Sequence, residues 1–420
     1  MKEVIYFIKK NKKINKKINI FNPYFIFSFI FLGVLFIYQL NWSQLTIPIT
    51  SQLLLFLIVN IILFGFLGYI FDKNKIMNPL KNYQYKMVYT YISVFIVLGT
   101  LLEGIVLKGY PLFNPLGWGN IKYVDYGIPI FHVLLLTVSY FFFIVLFECV
   151  IHNFKEKKLY FSMFIALFPF FLTINRGMLV MIVISCICLY AQYNKIPFIR
   201  KTVILSVFSL LIFFYLFGLF GNYRINSDYK QKRDITDATI IMNVGEATEK
   251  FRGNFVPKSF FWTYTYITSP LSNLQYNINE HQKKGNLEND NFFDFMKITF
   301  LPETISRRMH PTEINNYRIR EELNVGTAFY EVYPRFGWTG MYIYLIVISI
   351  FPFIYLSLLN KFASEYINIG ISLVCTIYSL LFFTNFLSYT GLMFQLVFPF
   401  ILNFQKKYNI GSRFLKLVRK

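Results

Sequence analysis

The run Leu53-Leu54-Leu55-Phe56-Leu57-Ile58-Val59-Asn60-Ile61-Ile62-Leu63-Phe64-Gly65-Phe66-Leu67-Gly68-Tyr69-Ile70-Phe71 decides the fold class. It lies in a block, residues 49–71, that holds no Lys, Arg, Asp or Glu. The apolar residues neither alternate as in a half-buried strand nor keep to one stripe as in a surface helix. A stretch that is apolar all round and close to bilayer length reads as a transmembrane helix. Nine further blocks have the same character: 20–40, 87–107, 128–151, 159–174, 178–193, 202–221, 338–359, 364–384 and 388–405. Hydrophobic residues make up 55% of the 420 and charged residues 15%, where a soluble domain carries about 25% charge. These figures exclude a soluble enzyme, a secreted scaffold and a disordered chain. The expected fold is all-α: a polytopic membrane protein with about ten transmembrane helices and one large extracytoplasmic loop.

The net charge of +21 would suggest a nucleic-acid partner in a soluble protein. Its placement argues otherwise. Lys2, Lys9, Lys10, Lys12, Lys13, Lys16 and Lys17 precede the first block, whereas the connection Asn41 to Pro48 carries no charge. Lys73, Lys75, Lys81 and Lys86 follow the second block, then only Lys108 and Lys122, then Lys155, Lys157 and Lys158, then Arg176 alone, then Lys195, Arg200 and Lys201. By the positive-inside rule both termini are cytoplasmic. The expected organisation is a basic N-terminus (1–19), helices one to seven (20–221), an extracytoplasmic loop (222–337), helices eight to ten (338–405) and a basic tail (406–420). The loop holds 15 Lys/Arg and 14 Asp/Glu and is close to neutral. No nucleic-acid partner is expected. The chain start is not a signal peptide by composition, and Cys149, Cys186, Cys188 and Cys375 lie inside apolar blocks and read as packing residues.

Arg176 departs most from a lipid-facing pattern. It interrupts Thr173-Ile174-Asn175-Arg176-Gly177 between two 16-residue apolar runs. At 1.5 Å per residue each run reaches about 24 Å, short of the ~30 Å hydrocarbon core. The turn should therefore lie at or below the outer interface and face a cavity. A buried arginine in a membrane usually has a functional reason; the bland alternative is a side chain that snorkels to headgroups. Arg224 follows the seventh block directly, and Arg252, Arg307, Arg308, Arg318, Arg320 and Arg335 recur in the loop. A guanidinium fork suits phosphate, though a solvated, charge-balanced face would look the same. Glu103 and Glu148 lie in or near spans and His132 begins the fourth. His310 sits in Arg307-Arg308-Met309-His310-Pro311, beside cations that favour its neutral, basic form. No phosphate-binding glycine loop, metal-binding helix motif or serine elbow occurs. The first outer connection holds no carboxylate, against the many lipid-linked-sugar transferases that keep a catalytic acid there.

The segment Asn324-Val325-Gly326-Thr327-Ala328-Phe329-Tyr330-Glu331-Val332-Tyr333-Pro334-Arg335-Phe336-Gly337-Trp338-Thr339-Gly340 resembles a signature of the Wzy-type O-antigen and capsule polymerases, which join oligosaccharide repeat units. Arg335 stands where that pattern has Asp. Arg176-Gly177 between short spans, the aromatic stretch Trp262 to Asn277 with Ser269-Pro270-Leu271, and one large late outer loop are similar too. The resemblance implies a GT-C-like transferase of the bacterial cytoplasmic (inner) membrane. It would move a growing glycan from undecaprenyl pyrophosphate onto a second undecaprenyl-pyrophosphate-linked oligosaccharide. Donor, acceptor and the bilayer are then its partners, with a chain-length regulator and a flippase as associated proteins. No cofactor and no metal are expected. Arg176, Arg224, Arg335 and Arg307 would hold pyrophosphate. His310, Glu321 or Glu322 would take the acceptor proton, and Tyr330, Tyr333, Asn324 and Thr327 would contact glycan. Two alternatives stay open: an O-antigen ligase or other lipid-linked glycosyltransferase, and a flippase or transporter. Locally, Lys258 to Asn277 should form an interfacial or re-entrant piece interrupted at Ser269-Pro270. Thr327 or Asn324 should cap a helix running toward Gly337.

Overall fold

The computed structural model describes residues 21–73, 87–116, 126–194, 200–228, 234–285, 287, 291–309 and 315–408. The basic leader, the end of the basic tail and His310 lie outside the described residues. Among the described residues every regular element is helical. The described α-helices before the polar region are α1 (Pro23–Tyr38), α2 (Ser51–Lys73), α3 (Met87–Val106), α4 (Phe131–His152), α5 (Lys157–Leu172), α6 (Arg176–Asn194) and α7 (Arg200–Asp228). The polar region contributes α8 (Thr239–Val244), α9 (Glu249–Arg252), α10 (Phe260–Lys284), α11 (Phe292–Phe300) and α12 (Glu303–Met309). Then follow α13 (Val332–Ala363), α14 (Ile367–Leu380), α15 (Thr390–Met393) and α16 (Phe398–Tyr408).

The protein is a multi-pass helical membrane protein. Among the described residues, 6 helical runs can cross a membrane by length and composition: Ser51–Lys73, Met87–Val106, Phe131–His152, Arg176–Tyr193, Val207–Asn226 and Val332–Leu380. The last turns back on itself at Ser364–Tyr366, because Tyr378 Oη of α14 donates to the carbonyl of Ile348 in α13. The apolar blocks that fall short do so for visible reasons. α1 and α5 have 16 residues each, and α5 carries Pro169 near its end. The final block is broken between α15 and α16 by a 3-10 turn.

Side-chain pairs give the direction of each helix. Asn22 Nδ2 donates to Gly68 O at 3.2 Å and Ser28 Oγ to Ile61 O at 2.9 Å, so α1 and α2 are antiparallel. Tyr140 and Ser185 hydroxyls meet at 2.7 Å and Tyr193 Oη donates to Glu148, pairs with a common offset, so α4 and α6 run parallel. Ser185 bonds Thr376 at 2.6 Å and Asn368 Nδ2 donates to Tyr193 Oη at 2.8 Å, so α14 opposes α6. The bundle thus has two ends. One gathers Phe21, Glu148, Gln192 and Asn368. The other gathers the α1–α2 turn, the start of α6, the end of α7, the start of α13 and the segment after α14; this is the arginine end.

Lipid removes the hydrophobic drive between helices, so hydroxyl contacts such as Tyr140–Ser185–Thr376 and close packing hold the bundle, at about 0.6 kcal/mol per bond. α4 is its axis and α7 its outlier: 78% of the apolar stretch of α4 is buried against 11% of that of α7. α7 is pinned by α10. Thr263 Oγ1 donates to Phe214 O at 3.0 Å and Phe217 meets Tyr266 edge-on at 5.2 Å. A methyl on Gly218 would stand 2.0 Å from the backbone oxygen of Ser259, which cannot swing aside. Gly218→Ala should therefore push α7 off α10 at a cost of about 1–3 kcal/mol. The expected result is a thermal midpoint in detergent several degrees lower; an unchanged midpoint would show that α7 is not pinned there.

Candidate functional site

The site grows from α10, which lies across the α1–α2 turn. Tyr264 Oη accepts from Trp42 N at 3.1 Å, Ser272 Oγ bonds Tyr38 Oη at 3.0 Å, and Gln275 Oε1 accepts from Thr50 N at 2.8 Å. Pro270 does not interrupt it: the helix is continuous over 25 residues, which corrects the broken piece expected from the sequence. Proline removes one backbone donor. Packing on both faces of α10, against α7 and against the α1–α2 turn, outweighs that loss.

The opposite face of α10 carries a polar ladder at i, i+4 and i+8. Asn273 Nδ2 donates to Leu323 O (2.6 Å) and Val325 O (2.7 Å), and its Oδ1 accepts from Ile319 N (2.9 Å). Asn277 Nδ2 donates to Tyr330 O (3.0 Å) and Oδ1 accepts from Tyr317 N (2.9 Å). His281 Nε2 lies 3.0 Å from Asn315 O. These amides are fully buried. Asn273 takes Val325 O and Ala328 N donates to Leu381 O at 2.8 Å, so backbone groups over 324–331 are paired outside a helix and α13 starts at Val332 rather than at Asn324 or Thr327. Thr327 Oγ1 instead accepts from Phe329 N within a turn (3.3 Å). Gly337 is itself non-helical, with φ 58 and ψ −148, so a short helix from Val332 runs to it and the long helix follows after a kink; that region is essentially open to glycine alone.

Where the end of α7, α8, α10 and residues 322–325 meet, a cavity of about 210 Å³ opens, with Arg224, Trp262, Tyr266, Ser269, Glu322 and Asn324 among its lining residues. It combines a guanidinium, a carboxylate, an amide and two aromatic faces. Glu246 pairs with Arg320 and ties the α8–α9 turn to the same segment. Trp42, Phe251, Phe261 and Tyr264 form a small second core beneath it.

The sequence-derived residues divide among three places. Arg224, Glu322 and Asn324 line the cavity; Glu321 is exposed outside its lining. Thr327, Tyr330, Tyr333 and Arg335 are buried at the start of α13. Tyr330 Oη donates to Tyr317 O at 3.0 Å, and burial pushes its ionisation up to about 12 against a smaller opposing effect of Arg318. Arg176 and Arg307 stand elsewhere on the arginine end. Arg176 is exposed at the first turn of α6, which Asn175 Oδ1 caps by accepting from Met178 N (3.1 Å). Met178 packs against Tyr389, whose hydroxyl lies 3.7 Å from its sulfur. Arg307 pairs with Glu303 at 3.5 Å. Burial raises the Glu303 carboxyl, and Arg307 lowers it by less. Glu303 N in turn donates to Ser388 O at 3.0 Å.

Arg176 is thus not in the lining of the Arg224 cavity, contrary to a single cavity holding both. The segment from Leu381 to Gly391 touches both surroundings: Phe383 stacks on Tyr266 at 6.2 Å, and Tyr389 packs on Met178. The sequence reading missed Trp262 and Tyr266 as lining residues and Asn273 and Asn277 as clamps. The signal was present, since Asn273, Asn277 and His281 fall at helical spacing within an aromatic stretch. Among the described residues no three His, Cys, Asp or Glu side chains come together in a way that could hold a metal ion. No known protein family, no curated protein and no solved structure matches the chain.

Proposed function

We propose that this protein polymerises undecaprenyl-pyrophosphate-linked oligosaccharide units into a polysaccharide at the outer face of the bacterial cytoplasmic membrane. In this reading the chain crosses the membrane ten times, both termini are cytoplasmic, and 222–337 lies outside. The observation that carries the proposal is the cavity at the arginine end. Aromatic faces such as Trp262 and Tyr266 suit sugar rings, Glu322 and Asn324 suit their hydroxyls, and Arg224 suits a phosphate. Position adds to this: a lipid-linked sugar keeps its tail in the bilayer and presents its head group at the bundle end. Polymerisation needs two such molecules at once. Arg224 in the cavity and Arg176 outside it offer two guanidinium positions, with Arg176 assigned to the departing pyrophosphate.

Deleting the gene in its host tests the activity. The expected result is loss of polymer and accumulation of single lipid-linked repeat units on the outer face, restored by a plasmid copy. Accumulation of finished lipid-linked polymer would indicate a ligase, and single units trapped inside would indicate a flippase. Topology has its own check. Single cysteines placed at exposed positions between 234 and 309, in an otherwise cysteine-free protein, should react with an impermeant maleimide in intact spheroplasts. Reaction only after permeabilisation would reverse the orientation and remove the mechanism.

A further inference from the structure

Glu103 and His132 form a pair that the cavity does not include. Glu103, near the end of α3, is 1% exposed. Its carboxylate accepts from His132 Nδ1 at 2.9 Å and from Ile128 N at 3.2 Å. The His132 side chain keeps 17% exposure. With Nδ1–H held by a carboxylate, the neutral ring carries its lone pair on Nε2. This is the arrangement of an oriented base, an imidazole fixed in tautomer and direction by a neighbouring carboxylate. A second group completes the setting. The Tyr126 ring stands edge-on to His132 at 5.5 Å, and its hydroxyl is buried without a hydrogen-bond partner among the described residues. Burial pushes the ionisation of Tyr126 up, so the hydroxyl remains a donor.

The pair lies at the depth of Arg176. α4 and α6 run parallel with the common offset of Tyr140–Ser185 and Glu148–Tyr193, which sets His132 level with Gly177. α15 packs against α4, and a methyl on its Gly391 would meet Met178, two residues beyond Arg176, at 3.2 Å.

We propose that His132, oriented by Glu103, is the base that takes the acceptor hydroxyl's proton at the depth of Arg176. The proposal rests on the polymerase reading. In the step, the acceptor oxygen forms a bond to the donor's anomeric carbon, and the bond from that carbon to the pyrophosphate oxygen breaks. The electron pair leaves with the undecaprenyl pyrophosphate, and the proton passes to His132 Nε2. His132 is the catalytic residue, Glu103 a positioning residue, and the Tyr126 hydroxyl a donor to the acceptor sugar.

Purified wild type, His132→Gln, His132→Ala and Glu103→Gln are compared on lipid-linked repeat units, with thermal midpoints as a fold check. Gln at 132 can still donate to Glu103 and should preserve the fold. Substrate binding should stay within about two-fold. Elongation should fall about a hundred-fold in both His132 variants, within the range a general base supplies, and about ten-fold in Glu103→Gln. Added imidazole should restore part of the His132→Ala rate and none of the Arg176→Ala rate. A folded His132→Gln that elongates within three-fold of wild type would overturn the proposal. So would a folded, inactive His132→Ala that gains nothing from imidazole, since the residue would then be structural. If wild type itself made no polymer, the polymerase reading would fall and the role of this pair with it.

Discussion

Arg176→Ala is expected to slow glycan elongation roughly ten- to a hundred-fold at normal protein levels. The guanidinium is exposed at the arginine end, on the first residue of α6, where the macrodipole already favours an anion. One charge-assisted bond to phosphate is worth ~1.5–3 kcal/mol, and each 1.4 kcal/mol is about ten-fold in rate. Arg176→Lys keeps the charge and loses the bidentate fork, so it should fall between alanine and wild type. Chain-length ladders of the three proteins, matched for expression, make the comparison. Full-length polymer from the alanine variant would detach Arg176 from the pyrophosphate.

The second large effect is expected at a residue that touches no substrate. Asn273→Ala removes three hydrogen bonds from a fully buried amide, to Leu323 O, Val325 O and Ile319 N. Each buried backbone group left unpaired costs about 1–3 kcal/mol, enough to release residues 319–325 from α10. Glu322 and Asn324 would then leave the cavity. The expected signs are faster proteolysis within this segment, a lower thermal midpoint, and elongation at the level of an Arg224→Ala protein. Asn273→Asp keeps the acceptor for Ile319 N but sets a buried carboxylate against the Leu323 and Val325 carbonyls, so it should be at least as damaging as alanine. Normal protease resistance in Asn273→Ala would show that the segment is held by other contacts.

Most of the helical layout was legible because apolar length is a local property. The limits of the block at 49–71 fall within two residues of α2, and the turn at Thr173 to Arg176 lies between α5 and α6 as its polar residues imply. Pro270 misled because a helix-breaking propensity was weighed without the α7 and α1–α2 surfaces that support α10 on either side. The start of α13 misled for a related reason: Asn273 and Leu381, both some 50 residues away, hold backbone groups of its first candidate turn. Arg176 and Arg224 were recognisable as polar groups at apolar edges. That Arg176 stands outside the Arg224 cavity was not, because it depends on how distant helices pack at the arginine end. The Glu103–His132 pair was visible only as two separate residues until α3 and α4 were seen to run antiparallel.

Purified protein, reconstituted in lipid and given undecaprenyl-pyrophosphate-linked repeat units in buffer containing EDTA, tests the proposed activity most directly. The expected product is a ladder of lipid-linked chains whose lengths differ by whole repeat units, with undecaprenyl pyrophosphate released once per bond formed. Single repeat units recovered intact, or a ladder that appears only when manganese or magnesium is restored, would contradict it.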